Sequence, residues 1–67
     1  MNIAKSIKVA MAMQDHDSLW LAEQLGVSRS RVNQMKLADG VKTTDTVEAL
    51  ARVFGMSASE FIAIGEE

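Results

Sequence analysis

The stretch SLWLAEQLGVSRSRVNQM, Ser18 to Met35, decides how the rest of the chain is read. It divides at Leu25-Gly26-Val27 into two short helical segments joined by a tight turn. Leu21, Ala22 and Leu25 share one face of the first segment, and Val32 and Met35 share one face of the second, as the three-and-four spacing of a helix requires. Val27 is placed to plug the corner between them. Gly26 stands where the first segment must stop and reverse, a position that usually takes positive φ and that a side chain is expected to crowd. Ala22 is the small residue facing that corner, so the two helices can cross closely. The outer face of the second helix is left with Arg29, Ser30, Arg31, Asn33 and Gln34. All five donate hydrogen bonds and none is acidic.

That face has a definite chemistry. Ser28 follows the turn as an N-cap, and the free N–H groups of the same helix end also favour a phosphate. Arg29 and Ser30 come next, at the tip. An arginine can fork onto guanine O6 and N7, and Asn33 or Gln34 can pair with adenine N6 and N7. Two arginines, a serine and two amides are equally the composition of a solvated surface; the turn motif tips the choice to DNA.

Outside this stretch the chain reads as further helices. Ile3, Ile7, Ala10 and Met11 form one face of a first helix over Asn2 to about Met13. Val9 and Met13 are expected to pack beside the next helix. Asp17 should cap the second helix, with His16 leaning on Leu21 as a staple. His16 has no acid or base partner at a useful spacing, so a structural role outweighs a catalytic one. Trp20 is expected half-buried against the first helix, a contact with a second subunit being the alternative. Lys36 to Thr44 reads as a loop with a turn at Asp39-Gly40. Asp45 and Glu48 are placed as a capping box for a fourth helix, with Thr44 competing, and Val47, Leu50, Ala51 and Phe54 form its stripe before Gly55. Ser57 and Glu60 make a full capping box for a fifth helix, which carries Phe61, Ile62 and Ile64 and stops at Gly65.

Composition bounds the rest. At 67 residues the chain makes one domain at most, residues 1–67, and its 48% hydrophobic content without proline suits an all-helical unit. It has no cysteine, hence no disulfide or thiolate metal site. No run approaches the roughly 18 apolar residues of a membrane span, and no signal peptide is read, so the expected location is the cytoplasm. The net charge of −2 argues against a nucleic-acid partner only if the total is read. Residues 28 to 42 hold Arg29, Arg31, Lys36 and Lys42 against Asp39 alone, and Lys5 and Lys8 stand unopposed near the start. A duplex responds to the local field, so one basic face suffices, with modest and salt-dependent affinity. No paired nucleophile and base, no phosphate-cradling glycine loop and no metal spacing point to an enzyme or a cofactor.

The constraints at Leu21, Ala22, Leu25, Gly26, Val27, Val32 and Met35, taken together, resemble the helix-turn-helix of the lambda repressor-like family, the Cro and CI class of phage and bacterial regulators. The resemblance extends through ALARVFG and GMSASEF over nearly the whole chain. It implies a compact five-helix DNA-binding domain, all-α, with helices 2 and 3 as the helix-turn-helix and the second of these, residues 28–36, in the major groove. It also implies that Arg29, Ser30 and Gln34 face bases, joined by Asn33 on chemical grounds. Ser28, Arg31, Lys36, Lys42 and Thr44 then meet the sugar-phosphate backbone. Ser18, which stands where the family often has a glutamine that reaches a phosphate, is expected at the backbone as well. Met11 and Lys36 replace the Arg and Glu that many members pair, which frees Lys36 for phosphate. Such proteins typically bind palindromic operators as homodimers and repress transcription. Leu37, Val41 and Ile64 are the expected dimer contacts, because exposed apolar residues commonly mark an interface. No membrane or small-molecule partner is expected. In a different class, the acidic C-terminal half suits an antitoxin that binds a toxin and represses its own promoter.

Overall fold

The computed structural model describes residues 2–37 and 43–66, which contain five helices: α1 (Ile3–Gln14), α2 (Ser18–Leu25), α3 (Arg29–Met35), α4 (Thr44–Val53) and α5 (Ala58–Ile64). Each begins at a side chain that takes up one of its free N–H groups. Asn2, Asp17, Ser28, Thr43 and Ser57 accept from the amides of Lys5, Trp20, Arg31, Thr46 and Glu60, at 3.0, 2.9, 3.1, 3.3 and 3.1 Å. A cap of this kind contributes about 1 kcal/mol. At Ser57 the box is complete, because its own amide donates to Glu60 Oε1 at 3.3 Å. The cap of α4 differs from expectation. Neither Asp45 nor Thr44 fills it; Thr43 does, its hydroxyl also sharing a 2.6 Å hydrogen bond with that of Thr46. Three adjacent residues can all cap, and only packing selects among them.

Three helices end alike. Gly26 (φ 71°) and Gly55 (φ 72°) are left-handed, and beyond them Val27 and Met56 donate back to the carbonyls of Ala22 and Ala51 at 3.1 and 2.8 Å. Asp15 makes the same stop for α1 at φ 56°, with His16 donating to Met11 at 2.9 Å. A side chain in this region crowds the backbone, so this turn is strained where the others are not.

The helices close over one apolar cluster. The stripes Ile3, Ile7, Ala10 and Met11 of α1 and Val47, Leu50, Ala51 and Phe54 of α4 are buried, with Leu21, Ala22, Val32, Met35 and Phe61. Full burial of one of the larger of these side chains contributes roughly 1.5–3 kcal/mol. α1 packs on α5, α5 on α4, and α2 on both α3 and α4. Phe54 and Phe61 stack at 6.0 Å across the α4–α5 contact, and Gln14 Nε2 donates to the Phe54 carbonyl at 2.8 Å, tying the end of α1 to the end of α4. Ser6 is fully buried, its hydroxyl donating to the Asn2 carbonyl at 3.2 Å.

Several side chains lie elsewhere than expected. Met13 is 64% exposed rather than packed beside α2. His16 stacks on Trp20, ring on ring at 3.5 Å, instead of leaning on Leu21. Trp20 is half-buried as expected, but the rings it meets are His16 and, at 5.7 Å, Phe54. A flat imidazole gains more from an indole face than from a leucine.

Candidate nucleic-acid interface

The candidate interface is built from α2, the Gly26 turn and α3. α3 has seven residues, too few to hold a helix in water alone. It is held by the Ser28 cap and by burying Val32 and Met35 beside Leu21 and Ala22. A Cβ at Gly26 would meet nothing within 4 Å. The glycine is therefore required by its left-handed backbone and not, as expected, by lack of room. Val27 does not plug the corner either. It is 40% exposed and lines an open groove of about 280 Å³ with Leu25, Arg31, Met35, Asp45, Thr46 and Ala49. The corner is filled from inside by Leu21, Ala22 and Val32, which leaves Val27 to cover it.

All of Arg29, Ser30, Arg31, Asn33 and Gln34 are exposed. Among the described residues their side chains form no hydrogen bond or ion pair with the rest of the protein. At about 100° per residue, Ser30, Asn33 and Gln34 lie opposite the Val32–Met35 stripe, and Arg29 and Arg31 flank them on either side. The helix thus offers a hydroxyl and two amides between two guanidinium groups.

Two of the residues expected at the DNA backbone are brought together. Ser18, the first residue of α2, accepts a 2.6 Å hydrogen bond from Lys36 Nζ, just past α3. Lys36 is therefore held against the α2 N-terminus rather than free, with two of its three donors left over. Met11, its expected counterpart, is buried in the core. Ser28 caps α3, and Thr44 is exposed at the first position of α4. Lys42 and Val41 lie outside the described residues. Of the other expected dimer contacts, Leu37 is 65% exposed, whereas Ile64 is half-buried against the core.

A second basic feature had only a faint signal in the sequence, two lysines, Lys5 and Lys8, in a first segment whose residues 1–13 include no acid. Together with Asn2, Ala4 and Lys36 they line a cleft of about 300 Å³. Among the described residues no group of three His, Asp or Glu side chains is placed to hold a metal, and no helix is long and apolar enough to cross a membrane.

Residues 21–61 match the model of a family described as Helix-turn-helix, a span of more than half the chain. No curated protein and no solved structure matches it.

Proposed function

The chain belongs to the lambda repressor-like helix-turn-helix family, whose members bind DNA and are typically not enzymes, and from that premise we propose that it is a small Cro-like repressor reading a palindromic operator as a homodimer in the cytoplasm. One observation carries the reading: a rigid apolar corner holds out a short helix whose exposed face is cationic and amide-bearing, with no acid on it.

In this reading α3 lies in the major groove. Arg29 forks onto a guanine, Asn33 or Gln34 pairs with an adenine, and Ser30 contacts a base edge between them. Ser28, Arg31, Lys36, Ser18, Lys42 and Thr44 set the register on the sugar-phosphate backbone, where contacts position without reading sequence. Repression follows by occlusion of polymerase, without a ligand or cofactor. Leu37, Val41 and Ile64 meet across the two-fold axis. Half-sites one helical turn apart are the geometric expectation.

Selection of bound sites from random duplex tests the whole reading: a symmetric consensus supports it, and enrichment of no sequence removes it. Within the consensus, Arg29→Ala should cost about 1–3 kcal/mol of binding and relax preference at one base pair. An unchanged preference would take Arg29 out of the readout.

A protein-binding role of the antitoxin kind has one feature in its favour. Val27 and Leu37 are exposed large apolar side chains, and Val27 lines the groove beside α4. A single stoichiometric protein recovered with the chain from its native cells would support that role, and it is compatible with binding its own promoter.

A further inference from the structure

The outer face of α3 is defined as much by what it lacks as by what it carries. The helix has two apolar side chains, Val32 and Met35, and both are turned into the core, at 0% and 4% exposure. It has no carboxylate, no alanine and no threonine. What it presents is two guanidinium groups, two amides and a hydroxyl, all exposed, and among the described residues these side chains hydrogen-bond to nothing else in the protein. Each of the four bases shows a different edge in the major groove. Guanine offers two acceptors, N7 and O6; adenine an acceptor, N7, beside a donor, N6; cytosine a donor, N4; thymine an acceptor, O4, beside the C5 methyl. Arginine forks onto the first and an amide onto the second. Cytosine is matched by a carboxylate and the thymine methyl by an apolar group, and α3 presents neither.

An amide meets a pyrimidine less well. Against cytosine its oxygen accepts one hydrogen bond while its NH2 group finds no acceptor; against thymine the NH2 group donates to O4 while the oxygen faces a methyl. A polar group buried without a partner loses its hydration with nothing in return, so the forked contact with a purine is favoured. The exposed apolar side chains nearby flank the helix instead of riding on it. Val27 precedes its cap and lines the groove beside α4, and Leu37 follows its last turn. We propose that α3 reads the operator through purine edges alone, guanine by Arg29 and adenine by Asn33 or Gln34, and makes no use of the thymine methyl. The inference rests on the DNA-binding reading and narrows it: pyrimidines are specified only as partners of the purines read, on whichever strand those lie. Ser30, donor and acceptor at once, adds a contact without choosing a base. Modification of the operator is affected as well. A methyl on adenine N6 that leaves base pairing intact points into the major groove and takes the place of the hydrogen an amide oxygen would accept, so adenine methylation weakens binding.

The test uses the whole chain, a duplex selected by the wild type and a scrambled duplex of the same length, each remade with one base analogue at a time. Uracil in place of every thymine removes the methyls and keeps O4, and affinity for the selected duplex should change by less than about 3-fold. A 7-deazapurine removes N7 and should weaken binding by about 5-fold or more at one or more consensus purines, with the scrambled duplex unaffected. N6-methyladenine at a consensus adenine should do the same. Whichever of Asn33→Ala and Gln34→Ala removes the adenine contact should then bind the methylated and plain duplexes alike. A loss with uracil beyond about 3-fold, confined to the selected duplex, means that a methyl is read and overturns the proposal while the DNA-binding reading stands. Indifference to the 7-deazapurines, or to N6-methyladenine, at every consensus position overturns it too, because the readout is then one of duplex shape. Sensitivity to N6-methyladenine that survives both variants takes the amides out of the readout, with the same result. A wild type that selects no consensus overturns the DNA-binding reading itself, and the inference with it.

Discussion

Two glycines, Gly26 in the helix-turn-helix corner and Gly65 at the seam between α5 and α1, do the same apparent work of ending a helix for opposite reasons. Gly26 is left-handed at φ 71°, and a Cβ placed there would meet nothing within 4 Å. Gly65 has an ordinary right-handed backbone at φ −81°, but a Cβ there would overlap the buried Ser6 hydroxyl and stand 2.5 Å from the Asn2 carbonyl oxygen. The corner is open because Val27 and the outer face of the helix that follows lie at the solvent, with the corner filled only from within. The seam is closed because it completes the core, and α5 reaches the first turn of α1 only if nothing projects between them. One molecule thus has a side built for contact and a side built for closure, and the glycine at each records which.

The largest expected effect breaks the closed side. Gly65→Ala should destabilise by about 2–3 kcal/mol, in the range for forcing atoms into a packed site, since the Asn2 carbonyl is backbone and cannot swing away. Urea unfolding followed by circular dichroism would check this; a loss under 0.5 kcal/mol would mean that the seam yields. Ser6→Ala should relieve part of the loss in a double variant, because it removes the nearest atom.

Gly26→Ala should cost less, about 1–2 kcal/mol, the penalty of a left-handed alanine. Its effect on binding should exceed its effect on folding, because α3 is aimed by that turn. Comparing the fall in duplex affinity with the fall in stability, at a temperature where the variant is fully folded, measures the difference. Equal losses at both glycines would mean that the open corner and the closed seam do not differ in this way.

The smallest effect sharpens it. Asp15 makes the same left-handed stop as Gly26 and Gly55 with a side chain in place (φ 56°), and its carboxylate sits at the negative end of α1. Asp15→Gly should raise stability by roughly 0.5–1 kcal/mol, visible as a higher thermal midpoint with duplex affinity unchanged.

Much of this was legible in the residues themselves. The stripes of α1 and α4, the caps at Asp17, Ser28 and Ser57 and the stops at Gly26 and Gly55 depend on neighbours within about one helical turn, and sequence states those directly. So does the exposed face of α3, because whatever is not on the Val32–Met35 stripe of a short helix must lie outside it. What was missed involves residues far apart in the chain or equivalent in type. Thr43, Thr44 and Asp45 are all competent caps. His16 had Leu21 and Trp20 within reach. Ser6 reads as an ordinary polar position of a surface helix until α5 is laid on it, and Lys36 reads as a free cation until Ser18, 18 residues earlier, is brought to its Nζ.

Local periodicity, capping chemistry and the Gly26 turn by themselves determined five helices, the faces they bury and the exposed polar face of α3, because each follows from short-range sterics and hydrogen bonding. Only the packed structure decided that Gly65 is a matter of space, that Val27 stands outside the corner it covers, and that Lys5, Lys8 and Lys36 share one cleft. Those depend on crossing angles between helices, which arise when all the buried faces are satisfied at once and which no single segment encodes.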